Sequence, residues 1–216
     1  MLIDQLHYIS QAPDNGTHLT AIEKVLRAGG KWIQLRVKEQ TEDAILELAV
    51  QASRLCEQYG AKLIINDYPE LALKSGAYGV HLGLNDLSVS AARTILGKHR
   101  CIGGTANTFE DVCKRADEGA DYIGLGPFRF TSTKKNLSPV LGLDGYKRLM
   151  EQVKEANIKL PIIAIGGIQT QDVGVILQTG IYGIAVSGLL TQDDNPASSI
   201  NQLYQEMNLN STQTLC

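Results

Sequence analysis

The sequence predicts an α/β protein folded as a single-domain (β/α)8 TIM barrel. Three observations point there. Short apolar, β-branched runs recur eight times along the 216 residues, segments of helical periodicity separate them, and no Pro/Ser-rich linker interrupts the series. Strict alternation of strand and helix implies parallel pairing through right-handed crossovers, which leaves an open doubly wound sheet or a closed barrel. About eight units of about 27 residues favour the barrel, near the lower end of its usual size.

The strand runs are Leu6 to Ile9, Trp32 to Val37, Lys62 to Ile65, Gly79 to Leu82, Cys101 to Gly104, Tyr122 to Leu125, Pro161 to Ile165 and Gly183 to Val186. Several are apolar on both faces, as helix-covered parallel strands require. From Thr41 to Tyr59, Ala44, Leu48, Ala52 and Leu55 recur at spacings of three and four, the stripe of an amphipathic helix. Thr41 and Thr108 stand at N-cap positions, and Gly29, Gly60, Gly76, Gly119 and Gly180 stand where helices should end. The barrel is expected over residues 1–207. The polar stretch 208–216 lacks periodicity and is expected to be a frayed tail.

Composition narrows the function. The chain is 44% hydrophobic and 20% charged, with 20 Lys+Arg against 23 Asp+Glu, a net charge of −3. No basic excess draws it to nucleic acid or anionic lipid, and no stretch approaches the ~20 apolar residues of a spanning helix. Met1 to Ser10 carries Asp4, Gln5 and His7 and does not read as a leader, so a cytoplasmic protein is expected. Cys56, Cys101, Cys113 and Cys216 have neither zinc-type spacing nor a histidine cluster nearby and read as free thiols.

In such barrels the chemistry sits on loops at the C-terminal ends of the strands. Those positions are polar here: Gln34, Arg36 and Lys38 on the second run, Asn66 and Asp67 after the third, Asp86 after the fourth, and Thr105 and Asn107 after the fifth. The sixth is followed by a long loop, Gly126 to Gly142, with Thr131, Ser132, Thr133, Lys134 and Lys135; Gly166–Gly167 and Ser187–Gly188 follow the last two. Gln34, Arg36 and Lys38 alternate and so share a face, where cations need either internal carboxylates or a bound anion. Asp67 and Asp86, ending neighbouring strands, suggest Mg²⁺ bridging a diphosphate; Asp86 could instead cap a helix beginning near Ser88. The glycine pair with the eighth-strand turn suggests a phosphate monoester site, against the simpler reading of a turn that needs positive φ. The sixth loop has the composition of a phosphate-gripping lid, or of a merely solvated loop.

His81 lies inside a strand and reads as a hydrogen-bonded interior histidine before a catalyst. Trp32, Phe128 and Phe130 read as core or lid packing, and Lys38 or Lys134 as a Schiff-base lysine is the alternative chemistry. Two phosphate-type sites and a divalent-metal site in one mouth favour substitution with diphosphate as leaving group.

Seven pieces in order, Gln34-Leu35-Arg36-Val37-Lys38, Ile65-Asn66-Asp67, Gly79-Val80-His81-Leu82-Gly83 with Asp86, Gly124-Leu125-Gly126-Pro127, Thr131-Ser132-Thr133-Lys134, Ala164-Ile165-Gly166-Gly167-Ile168 and Gly183-Ile184-Ala185-Val186-Ser187, resemble the signatures of the thiamine phosphate synthase family. The resemblance implies a transferase that joins hydroxymethylpyrimidine diphosphate to hydroxyethylthiazole phosphate, giving thiamine phosphate and diphosphate, with Mg²⁺ bound. It implies that Gln34, Arg36, Lys38, Asn66, Thr105 and Lys134 hold the pyrimidine diphosphate, with Arg36, Lys38 and Lys134 catalytic. It places the metal on Asp67 and Asp86, and the thiazole phosphate on Thr131, Ser132, Thr133, Gly167, Val186, Ser187 and Gly188. Small phosphorylated molecules are then the partners; a homo-oligomer is left open.

The chain departs from the family's pattern at several positions. Leu84 stands at a usual Gln, Asn107 at a common His, Thr105 at a usual Ser, Val186-Ser187-Gly188 sets the serine one residue early, and Ile9-Ser10-Gln11 replaces a common Thr-Asp ending. The related thiazole tautomerases share the barrel but usually lack the Thr-x-Thr-Lys lid and rely on the histidine that is Asn107 here. A non-catalytic barrel binding thiamine-pathway phosphates is the reading from another class, and a phosphosugar epimerase or aldolase a third.

Overall fold

Alternation within each apolar run gives every strand one face for the lumen and one for a helix layer, and the runs pair edge to edge accordingly. The computed structural model describes residues 2–130 and 138–213. In it β1 (Leu6–Ile9), β2 (Trp32–Leu35), β3 (Lys62–Asn66), β4 (Gly79–Leu82), β5 (Cys101–Ala106), β6 (Tyr122–Leu125), β7 (Ile162–Ile165) and β8 (Gly183–Val186) are parallel, and β8 pairs with β1 to close the barrel. The outer layer is α1 (His18–Arg27), α2 (Glu42–Gln58), α3 (Pro69–Lys74), α4 (Val89–Leu96), α5 (Phe109–Asp117), α6 (Gly142–Glu155), α7 (Val173–Leu177), α8 (Gly188–Thr191) and α9 (Pro196–Gln213).

Two apolar clusters follow from the alternation. Ile33, Leu35, Ile65, Val80, Leu82, Ile102, Ile123 and Leu125 face outward and pack with the inner faces of the helices. Trp32, Ile64, Cys101, Tyr122 and Ile163 face inward and fill the lumen. Two glycines give the largest of these room. A Cβ on Gly103 would lie 2.1 Å from Tyr122 Cζ, and one on Gly124 would lie 3.0 Å from His81 Cε1. The lumen is therefore a packed core below the mouth.

The expected caps form. Thr41 accepts from Ala44 N at the start of α2, and Thr108 makes a reciprocal capping box with Asp111 at α5. Gly29, Gly60, Gly76, Gly119 and Gly180 all have positive φ just past helix ends. Cys56, Cys101 and Cys113 are free thiols, and Cys216 lies outside the described residues.

Five boundaries differ from the sequence reading, two of them because β3 runs on to Asn66 and β5 to Ala106. β2 stops at Leu35, short of Val37, because the Arg36 N–H donates to Ser10 Oγ (3.1 Å) and leaves the ladder. β7 starts at Ile162, after Pro161, whose missing N–H cannot join the ladder. α9 continues to Gln213, through the start of the stretch 208–216 read as a frayed tail. Ile200, Leu203 and Met207, buried at helical spacing, anchor it against α1 and α7.

Candidate active site

The polar ends of β2 to β5 meet at the mouth. On β2, inward-facing Gln34 is buried and donates from Nε2 to Asn66 Oδ1 on β3 (3.0 Å), so two amides close the lumen beneath the site. Beyond the strand, Arg36 is half-buried; desolvation weakens its hold on its proton, and the nearby Asp67 charge partly restores it. Lys38 is half exposed and forms an ion pair with Asp67 Oδ2.

Asp67 takes a left-handed conformation (φ 70°), rare for a residue with a side chain, and its N–H donates to His81 O (2.8 Å). That turn holds its carboxylate beside Asp86. Burial raises the Asp67 pKa above the ordinary carboxylate value, the adjacent Asp86 carboxylate adds to the rise, and Lys38 opposes it. Asp86 does not cap α4: its Oδ2 accepts from Gly83 N (2.6 Å), while Ser88 is the N-cap, accepting from Ala91 N (3.2 Å). The two carboxylates therefore lie side by side, one paired with Lys38 and the other bonded to the Gly83 N–H. Among the described residues no three His, Cys, Asp or Glu side chains cluster as a metal cage. Two facing carboxylates with a lysine on one of them suit a hard dication that completes its shell with ligand and water oxygens.

Thr105 is the last residue but one of β5, its hydroxyl on His81 Nε2 (3.0 Å). His81 is buried and also bonds Tyr122 through Nδ1 (3.0 Å), the interior role read from the sequence. Asn107 donates from Nδ2 to Gly126 O and to Pro139 O, both at 2.9 Å, tying together the two ends of the β6–α6 segment. Leu141 N to Pro127 O (2.9 Å) and Gly142 N to Phe128 O (3.0 Å) add to that closure. Phe128 is buried, as read, whereas Phe130 is 72% exposed. Thr131, Ser132, Thr133, Lys134 and Lys135 lie outside the described residues.

Across the mouth, Gly166 and Gly167 have φ of 97° and 66°. A Cβ on Gly166 would sit 2.6 Å from Pro127 Cβ, so this turn needs glycine for conformation and for close approach to the segment after β6. Arg129 fixes that approach: its N–H donates to Gly166 O (2.9 Å), and its guanidinium reaches Gly167 O (2.7 Å) and grips Asp172 with two bonds of 2.9 and 3.0 Å. After β8, Val186 is buried and Ser187 Oγ donates to Gln11 Oε1 (3.3 Å) as α8 begins at Gly188.

The fold therefore brings Gln34, Arg36, Lys38, Asn66, Asp67, Asp86 and Thr105 to one side of the mouth. Gly167, Val186, Ser187 and Gly188 end the strands on the other. Sequence reasoning missed Arg115, 2% exposed, whose guanidinium donates to Thr105 O (3.2 Å), Gly83 O (2.7 Å) and Glu118 (3.1 Å). Its signal was Val112 and Arg115 on one face of α5 opposite Gly104, where a Cβ would meet Arg115 Cδ at 2.7 Å. The Ser10–His18 bond (2.9 Å) beside Arg36 was also missed, and nothing in the sequence marks it.

Comparison with known proteins bears on the whole chain and on its fold. A sequence profile for thiamine monophosphate synthase matches residues 6–190. A thiamine-phosphate synthase of Flavobacterium psychrophilum is 52% identical over 206 residues, 95% of this chain and all of that protein. One of Bacteroides thetaiotaomicron is 48% identical over 92% of this chain and 95% of its own length. Among solved structures, thiamine phosphate pyrophosphorylase from Pyrococcus furiosus superposes with a TM-score of 0.81 at 26% identity, covering 95% of this chain and 96% of that one. By sequence over most of its length, and by the barrel it shares with that structure, the chain belongs to the thiamine monophosphate synthase family.

Proposed function

We propose that the protein joins hydroxymethylpyrimidine diphosphate to hydroxyethylthiazole phosphate, releasing diphosphate and forming thiamine phosphate. The observation that carries this is the juxtaposition of Arg36 and Lys38 with the facing carboxylates of Asp67 and Asp86. Such a site receives a polyanion together with a dication, which is what a departing diphosphate needs.

Gln34, Arg36, Lys38, Asn66, Thr105 and Lys134 bind the pyrimidine diphosphate in this reading. Thr131, Ser132, Thr133, Gly167, Val186, Ser187 and Gly188 bind the thiazole phosphate. Mg²⁺, held by Asp67 and Asp86, supplies charge to the diphosphate when bound. Heterolysis of the bond between the pyrimidine methylene carbon and the diphosphate oxygen sends the electron pair to diphosphate, where Arg36, Lys38 and Lys134 meet it. The thiazole nitrogen then donates its lone pair to the methylene carbon. The residues position two ligands and stabilise developing charge, with no covalent nucleophile required. Small phosphorylated metabolites are the expected partners, in the cytoplasm. Among the described residues no helix is long and apolar enough to cross a membrane.

The tautomerase alternative relies on a histidine at position 107, and the asparagine there is committed to two carbonyls. The test is an assay with purified protein, both phosphorylated precursors and Mg²⁺, following thiamine phosphate and diphosphate with EDTA as control. Metal-dependent formation of both products in equal amounts is expected. Folded protein that binds either precursor and forms no product overturns the synthase reading.

A further inference from the structure

Beneath the mouth a chain of polar groups crosses the lumen, and it has a direction. Tyr122, 1% exposed, lies between Trp32 and His81. Its hydroxyl is 3.0 Å from His81 Nδ1, and His81 Nε2 is 3.0 Å from Thr105 Oγ1. A neutral imidazole donates from one nitrogen and accepts at the other, so two arrangements are available in principle. Either Tyr122 donates to Nδ1 and Nε2–H donates to Thr105, or Thr105 donates to Nε2 and Nδ1–H donates to Tyr122.

Burial distinguishes them. Tyr122 is enclosed, and among the described residues the acceptor within reach of its hydroxyl proton is His81 Nδ1, whereas Thr105 is partly exposed at the mouth and its hydroxyl can donate outward. A buried O–H left without an acceptor costs more than an unused lone pair, so the Tyr122 proton is directed to His81 Nδ1. The Nε2–H form of His81 follows, with Thr105 Oγ1 as acceptor and its hydroxyl proton released toward the mouth.

We infer that His81, oriented by Tyr122, is a positioning residue that makes the Thr105 hydroxyl a hydrogen-bond donor to the ligand. This rests on the proposed placing of the pyrimidine diphosphate at Thr105, since a donor there is useful to an anion or a ring nitrogen and an acceptor is not. The geometry of the lumen protects the chain at two points. Gly103 leaves the space the Tyr122 phenol occupies, and Gly124 the space beside the His81 ring.

The experiment measures ring ¹⁵N shifts of His81 in the wild-type protein and in Tyr122→Phe, alongside steady-state rates for Tyr122→Phe, Thr105→Val and the double variant. The wild type should show a pyridine-type Nδ1 and a protonated Nε2. In Tyr122→Phe the two forms should mix, and kcat should fall about tenfold to a hundredfold, the scale of one misdirected hydrogen bond to a charged group. In the Thr105→Val background, Tyr122→Phe should have no further effect. A wild-type Nδ1–H form, or effects of the two substitutions that multiply, overturns the inference. Absence of turnover in the wild type overturns the synthase reading instead, and the ¹⁵N shifts then decide the direction of the chain alone.

Discussion

Arg115→Leu tests how the mouth is held in register. The guanidinium is buried on the outer face of β5 and bonds three elements at once: Gly83 O after β4, Thr105 O on β5, and Glu118 at the end of α5. Leucine preserves the apolar stem and deletes three donors. Two part-buried carbonyls lose their guanidinium partner, and a carboxylate that is 15% exposed loses its buried cation. At about 1–3 kcal/mol for each buried group left unsatisfied, and with the Val89 N–H still bonding Glu118, the loss should be about 3–5 kcal/mol. The Gly83 end carries Asp86, so the carboxylate pair should be disordered as well. Urea unfolding of both proteins measures the first effect and the Mg²⁺ concentration for half-maximal rate measures the second. Arg115→Lys, which keeps the charge with fewer directed donors, should recover part of the stability. A loss below about 1 kcal/mol with an unchanged Mg²⁺ requirement refutes the reasoning, because it would mean that water satisfies these groups as well as the guanidinium does.

Three further outcomes are expected. His7 stacks on Trp32 and is held neutral by burial, its pKa lowered to about 3. The unfolded chain protonates near 6.5 while the native state does not, so stability is lost as pH falls from 6.5 toward 3. At pH 4.5 the loss should be about 2–3 kcal/mol, and parallel melting curves for wild type and His7→Phe over that range would contradict it. Asn107→Ala frees Gly126 O and Pro139 O and should lower turnover at least tenfold with a modest drop in Tm, measured by assay and calorimetry; unchanged turnover would remove the tie from the mechanism. Asp67→Asn removes a carboxylate whose ionised form the site disfavours, so metal-free stability at pH 7 should hold or rise while Mg²⁺-dependent turnover falls about a hundredfold. Asp86→Asn should lose Mg²⁺-dependent turnover as well, and retained metal dependence in both variants counts against the pair.

The barrel was legible because its strands are short apolar runs punctuated by glycine, and glycine at a helix end announces itself. Strand ends were legible to within two residues, and the overreach at β2 came from the Ser10 hydroxyl just past β1, which captures the Arg36 N–H. That capture joins residues 26 apart, and local pattern carries no such term. The mouth was legible as a set of polar positions, since topology alone puts strand ends together. What each does with its neighbours was less so. Asp86 had two open readings until Ser88 was seen to hold the helix cap. Arg115 escaped notice because arginine on a helix is normally solvated, and only the absence of a side chain at Gly104 lets it be buried.

The closure at Asn107 bears on how the mouth can vary. Gly126, Pro127 and Phe128 are joined to Pro139, Leu141 and Gly142 by one side-chain amide and two backbone bonds, so the barrel holds both ends of the intervening segment whatever lies between them. The entropy of bringing those ends together grows only as the logarithm of length, about 0.6 kcal/mol per doubling. Changes of length beyond Arg129, which is itself held by Gly166, Gly167 and Asp172, should therefore cost the fold little, and that stretch can be exchanged as a unit. New acceptor preferences can then be selected on that insert so long as it keeps a cation equivalent to Lys134 for the diphosphate side of the mouth.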